Sequence, residues 1–83
     1  MFHVYILKLR DGSLYTGHTN DLQRRLEEHH YGKGSCYVKG RRPFTLIYTE
    51  AFETRPKAAK REAQIKKMSS ERKKALARSL VLL

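Results

Sequence analysis

Val4-Tyr5-Ile6-Leu7-Lys8-Leu9-Arg10-Asp11-Gly12-Ser13-Leu14-Tyr15-Thr16-Gly17 is the stretch that decides the fold, because two runs of β-forming residues flank an Asp-Gly turn. Each run carries one tyrosine, so the loop length sets whether the two phenols share a face. A two-residue Asp11-Gly12 loop would pair Tyr5 with His18 and put Tyr15 on the opposite face. A three-residue loop, with Arg10 and Asp11 in a type I turn and Gly12 left-handed, sets Leu9 against Ser13, Leu7 against Tyr15 and Tyr5 against Gly17. Both tyrosines then stand on one face, and Gly17 leaves space beside the Tyr5 phenol for a ligand. The second register is the preferred one.

Beyond the hairpin, Asn20 or Asp21 can cap a helix to about Tyr31, with Gly32 as its stop. Helical spacing puts Leu22 and Leu26 on one side, flanked by Arg25 and His29, and turns Arg24, Glu27 and Glu28 toward water. Arg25 rather than Arg24 is thus aimed across the sheet. Gly32 to Ser35 reads as a flexible loop and Lys39-Gly40-Arg41-Arg42-Pro43 as a basic turn.

Phe44 to Phe52, FTLIYTEAF, reads as a third strand with Phe44, Leu46 and Tyr48 on one face and Thr45, Ile47 and Thr49 on the other. Apolar residues on both faces suit a central strand. Thr54, with Pro56 close behind, can cap a second helix to about Met68. Ser69 or Ser70 starts a third, whose Leu76, Leu80 and Leu83 fall at i, i+4, i+7.

The chain has 83 residues, which indicates one domain, residues 1–83, able to bury about two thirds of its unfolded surface. The apolar fraction of 40% supports a globular chain in spite of 31% charged residues. Eighteen Lys and Arg against eight Asp and Glu give a net charge of +10, which makes nucleic acid the leading partner class through counterion release. From Arg55 to Lys74 there are nine basic residues and two acids, the densest positive stretch.

Cys36, the single cysteine, rules out an internal disulfide, and with His3, His18, His29 and His30 it matches no structural zinc spacing. No secretory segment or membrane-spanning run is expected, and a cytoplasmic location is the default. Tyr31 and Tyr37, beside the basic loop, suit either base stacking or edge packing.

Glu62 breaks the pattern of the second helix, since it shares a face with Ala58 and Ile65 while Lys60, Lys66 and Lys67 point elsewhere. An inward carboxylate is costly without a partner. The plain account is an ion pair between Glu62 and Arg25, which periodicity alone favours over a metal ligand.

His3-Val4-Tyr5 and Tyr15-Thr16-Gly17, joined by Asp21-Leu22-Gln23-Arg24-Arg25-Leu26-Glu27-Glu28-His29 and by Arg61-Glu62-Ala63-Gln64-Ile65-Lys66-Lys67, resemble the GIY-YIG nuclease family in order and spacing. Asp11 to His18 and Gly40-Arg41-Arg42-Pro43 are most similar to its small stand-alone bacterial members. His3 replaces the family's first glycine and Thr16 its isoleucine. The resemblance implies an α+β fold, sandwich-like, with a three-stranded antiparallel sheet flanked by about three helices. It also implies endonuclease action on DNA, ahead of RNA, in repair or recombination, with one Mg2+ or Mn2+ ion and a protein partner able to supply specificity.

Carried over to these positions, the resemblance gives Glu62 the metal, Tyr15 the deprotonation of water, Tyr5 the orientation of that network and Arg25 the scissile phosphate. His29 stands where relatives place a further polar contact, and the role of His18 stays open. The chemistry is coherent: one carboxylate plus waters suits magnesium, and the arginine fork suits phosphate. A tyrosine, with an ordinary pKa near 10, needs a neighbouring cation to act as a base at neutral pH. His18, Lys39, Arg41, Arg42, Lys60, Lys66 and Lys67 are the expected nucleic-acid contacts. A non-catalytic nucleic-acid-binding module with the same fold is the rival reading.

Overall fold

In the computed structural model, which describes residues 1–81, three antiparallel strands lie between two helical layers. Strand β1 (Phe2–Leu9) turns back into β2 (Leu14–Thr19), helices α1 (Leu22–His30) and α2 (Cys36–Lys39) follow, then β3 (Phe44–Phe52), α3 (Arg55–Lys66) and α4 (Ser70–Val81). Leu83 of the expected third-helix stripe lies outside the described residues, as does the side chain of Leu80.

The hairpin takes the three-residue register. Leu7 faces Tyr15 and Tyr5 faces Gly17, Leu9 N–H donates to Ser13 O at 2.9 Å, and Gly12 has φ +86°. Asp11 Oδ1 fixes the turn by accepting from Ser13 N–H at 3.0 Å and from its hydroxyl at 2.6 Å. The expected helix ends are also found: Asp21 caps α1, Thr54 caps α3, and Ser69 Oγ accepts from Arg72 N–H at the start of α4.

Two expectations fail for the third strand. The order is β2-β1-β3, so β1 is central and β3 is an edge. Both faces of β1 are buried, through Val4 and Ile6 on one side and Tyr5, Leu7 and Leu9 on the other, whereas β3 leaves Thr45, Leu46 and Ala51 exposed. The second failure is the alternation. Ile6 pairs with Tyr48 but Leu7 pairs with Leu46, so one extra residue bulges at Ile47. Phe44 and Leu46 stay beside Leu9 and Leu7, while Tyr48 moves to the other face beside Ile6.

Two cores result. Tyr5, Leu7, Leu9 and Val38 pack with Tyr15, Leu22, Leu26 and Phe44 under α1 and α2. Val4, Ile6, Tyr48, Ala58, Ile65 and Ala77 form the other under α3 and α4. Helix α2 makes a fourth helix where the sequence reads as loop and basic turn. Ser35 caps it, and fully buried Val38 anchors it to the sheet.

Candidate active site

Tyr5 and Tyr15 project from neighbouring strands on the α1 face with ring centroids 6.4 Å apart. Their exposure differs: Tyr5 is 1% exposed, whereas Tyr15 is half-buried. The space expected over Gly17 is not open to a ligand, because the Tyr5 phenol fills it. A Cβ at position 17 would stand 2.6 Å from Tyr5 Oη.

His29, buried on the sheet side of α1, meets that phenol, with Nε2 2.8 Å from Tyr5 Oη. Its edge also meets Tyr15, with centroids 5.5 Å apart. Burial, which outweighs the neighbouring Arg25 guanidinium, pushes Tyr5 up to about 12. Burial first, and then the charge of Arg25, lowers His29, so the pair is a neutral phenol against a neutral imidazole at pH 7. Among the described residues His29 Nδ1 has no hydrogen-bond partner, and Gly34 closes over it: a Cβ there would come within 2.5 Å.

Arg25 is half-buried beside both tyrosines, and its charge acts on each. Its Nη1 donates to Glu28 Oε1 at 3.2 Å, and Arg24 Nε lies 3.6 Å from the other oxygen. Glu28 therefore does not simply face water as its spacing suggests. It is a half-buried acid that holds the two arginines together.

The expected Glu62–Arg25 pair does not form. Glu62 Oε1 instead lies 2.7 Å from His18 Nδ1, and Lys66 Nζ, which reaches inward against expectation, lies 3.1 Å from Oε2. The register explains the partner. His18 pairs with Val4, so its ring leaves β2 on the α3 side, one residue along from Gly17. Arg55 Nη1 approaches His18 Nε2 at 3.4 Å, which sets a chain Arg55 to His18 to Glu62. If the imidazole is neutral, this order places its proton on Nδ1, an assignment made from the bonding pattern. Burial raises the Glu62 carboxyl, but the bonds from His18 and Lys66 outweigh it and leave it below its ordinary value.

The candidate residues thus come from opposite sides of the sheet and meet at the outer edge of β2. The tyrosines, Arg25 and His29 belong to the α1 layer, and Glu62 and His18 to the α3 layer. Glu62's charge still acts on Tyr5 and adds, as the least of its causes, to the rise in the phenol. Beside this edge a polar cleft of about 210 Å³ is lined by residues including His18, Asn20, Arg24, Arg25, Glu28 and Arg55.

A structural metal cage does not fit here: among the described residues, no three His, Cys, Asp or Glu side chains converge. A single carboxylate with water around it fits a hard hydrated ion such as Mg2+, provided that Lys66 or His18 releases an oxygen.

The expected nucleic-acid contacts differ in what they already hold. Lys39, Lys60 and Lys67 are exposed. Arg41 and Arg42 brace the loop: Arg41 pairs with Asp11 at 3.1 Å, and Arg42 donates to the carbonyls of Lys39 and His30, both at 2.9 Å. Arg55 and Glu28 are site neighbours that the sequence reading does not single out, and Tyr37, read there for base stacking or edge packing, is a third. Glu28 could have been found from its i+3 and i+4 spacing to Arg25 and Arg24. Tyr37 stacks on Tyr15, a contact that no local spacing shows.

This fold and its tyrosine-bearing hairpin define a small domain of the nuclease superfamily. The GIY-YIG catalytic domain matches residues 1–75, and the chain belongs to the GIY-YIG family. A UPF0213 protein of Halobacterium salinarum is 47% identical over 76 residues, covering 92% of this chain and 99% of that protein. A UPF0213 protein of Staphylococcus saprophyticus is 46% identical and covers 86% of this chain and 87% of its own length. Among solved structures, the solution NMR structure of a UPF0213 protein from Bacillus halodurans is 44% identical with a TM-score of 0.58, covering 92% of this chain and 82% of that one. A protein from E. faecalis, also solved by NMR, reaches a TM-score of 0.66 at 38% identity and covers 98% and 86% of the two chains.

Proposed function

We propose that the chain is a metal-dependent endonuclease that hydrolyses DNA phosphodiester bonds. One observation supports the reading: Tyr15, Arg25 and Glu62, a half-buried phenol, a guanidinium fork and an inward carboxylate, flank the edge strand β2. In this reading Glu62 would hold one Mg2+ or Mn2+ ion, with Oε2 given up by Lys66. The bound ion would supply an acidified water and neutralise the leaving oxygen. Arg25 binds the scissile phosphate, Tyr15 takes the proton of the attacking water, and the buried Tyr5–His29 pair holds the floor beneath them.

The exposed lysines of α3, its C-cap and α4, among them Lys60, Lys67 and Lys74, hold the strand by charge. DNA ranks ahead of RNA as substrate, with a role in repair or recombination, a cytoplasmic setting and a partner protein supplying specificity. No helix among the described residues is long and apolar enough to cross a membrane.

The test is nicking of supercoiled and branched DNA with Mg2+ or Mn2+. Cleavage should be sensitive to EDTA, abolished by Glu62→Gln and reduced by about 10²- to 10⁴-fold in Tyr15→Phe and Arg25→Ala, all three folded. A second reading, a non-catalytic nucleic-acid-binding module, draws on the fact that both Glu62 oxygens already hold protein partners, His18 and Lys66. Binding without EDTA-sensitive cleavage of these DNAs or of RNA would select it.

A further inference from the structure

Tyr15 sits on an edge strand, and its two sides are closed differently. On the inner side the rings of Tyr5 and His29 meet it at 6.4 and 5.5 Å. The remaining side is covered by Tyr37 of α2, stacked at 6.3 Å with an interplanar angle of 23°. Tyr37 is 42% exposed and would swing freely if nothing backed it.

Arg41 backs it. The guanidinium carbon lies 3.7 Å from the Tyr37 ring centroid, Nη1 donates to the Tyr37 carbonyl at 3.0 Å, and Nε donates to Asp11 Oδ2 at 3.1 Å. Arg10 N–H adds a bond to the Arg41 carbonyl at 3.0 Å. Asp11 belongs to the turn that leads into β2, four residues before Tyr15. The series Asp11, Arg41, Tyr37, Tyr15 therefore begins and ends on the hairpin. It fastens α2 to the strand edge as a wall.

We infer that Tyr37 is a positioning residue for Tyr15, held face-on by Arg41 so that the Tyr15 phenol keeps one rotamer at the strand edge. The inference rests on the reading of Tyr15 as the base. The Arg41 guanidinium lies over one face of Tyr37 and Tyr15 stacks on its ring, so the face under Arg41 offers no platform for a nucleobase. A base must lie within hydrogen-bond reach of the proton it takes, and a displacement of about 1 Å can cost about 10²-fold in rate.

The experiment compares Tyr37→Ala, Tyr37→Phe and Arg41→Met by cleavage kinetics and by NMR of the tyrosine rings. Expected are a fall of about 10- to 100-fold in kcat for Tyr37→Ala with KM within about 2-fold, recovery in Tyr37→Phe, and a smaller fall in Arg41→Met. The Tyr15 ring signals should lose the shift caused by the stacked neighbour in Tyr37→Ala and keep it in Tyr37→Phe, while the Tyr5 signals stay in place. Unmoved Tyr15 signals, or a raised KM with kcat unchanged, would overturn the inference. If the wild type cleaves nothing, the nuclease reading fails, and the NMR comparison alone decides whether Tyr37 holds Tyr15. Arg41→Met keeps the Tyr37 side chain but removes the guanidinium that backs it, so a partial loss of the Tyr15 ring shift in that variant keeps the test open if Tyr37→Ala does not fold.

Discussion

His18 Nδ1 lies 2.7 Å from Oε1 of Glu62 and ties the outer edge of β2 to helix α3. Through this bond an inward carboxylate exists without the arginine that periodicity suggested for it. Glu62 is held by the strand it packs on and by Lys66 one turn along its own helix.

Acid sensitivity follows from that pair. Glu62 sits below its ordinary value of 4.5, since the bonds from His18 and Lys66 outweigh the upward push of burial. The unfolded chain therefore takes up this proton at a higher pH than the folded one. The contribution is present above about pH 4.5 and is lost as pH falls through the folded value. Urea unfolding should show a loss of about 1 kcal/mol across this limb, discounted for partial exposure. Glu62→Gln should flatten it, and an unchanged acid limb in the variant would assign the loss to other carboxylates.

Tyr5 gives the opposite limb. Burial pushes the phenol up to about 12, and the unfolded chain releases this proton near 10. Between these values the folded state holds the proton and the unfolded state does not, so stability declines as pH rises through the window. Tyr5→Phe should lose about 1–2 kcal/mol at neutral pH, because His29 Nε2 is left without its partner. Its alkaline decline should be shallower than that of the wild type. Parallel curves from neutral pH to about pH 11 would count against the Tyr5–His29 pair as the source.

Gly17 is required by space rather than by backbone angle. A Cβ there would stand 2.6 Å from Oη and 2.8 Å from Cζ of Tyr5, whose ring is boxed in by His29 and Leu7. Gly17→Ala should cost about 1–3 kcal/mol and lower Tm by several degrees. Adding Tyr5→Phe removes the nearest atom and should recover part of the loss. Strict additivity of the two changes in a double-mutant cycle would show that the strain falls elsewhere.

Much of this fold was legible because the deciding signals are local. The hairpin register followed from turn chemistry at Arg10 to Gly12, and the three long helices from their caps and stripes. The place of β3 was not legible: its apolar content on both faces mimics a central strand, and the bulge at Ile47 depends on pairing with β1. Helix α2 escaped because it is four residues long, and only the burial of Val38 holds it. In the site, side-chain direction was readable for Tyr5, Arg25 and Glu62, but partners were not. His18 and Glu62 are 44 residues apart, and Tyr37 reaches Tyr15 only after α2 folds back.

Glu28 supplies the last expectation, because it holds the arginine assigned to the phosphate. Arg25 Nη1 lies 3.2 Å from Glu28 Oε1, with both side chains 33% exposed, and a phosphate that uses this donor competes with the carboxylate. The competing pair is worth about 0.5–1 kcal/mol at this exposure, so Glu28→Gln should tighten nucleic-acid binding about 2- to 5-fold at low salt. Removing any negative charge would also strengthen binding, and Glu27→Gln corrects for this: Glu27 is one residue away and exposed, with no ion pair among the described residues. The excess of the Glu28 effect over the Glu27 effect measures the competition itself. Equal gains in the two variants would mean that the Arg25–Glu28 contact only supports the helix, leaving Arg25 free for phosphate without displacing it.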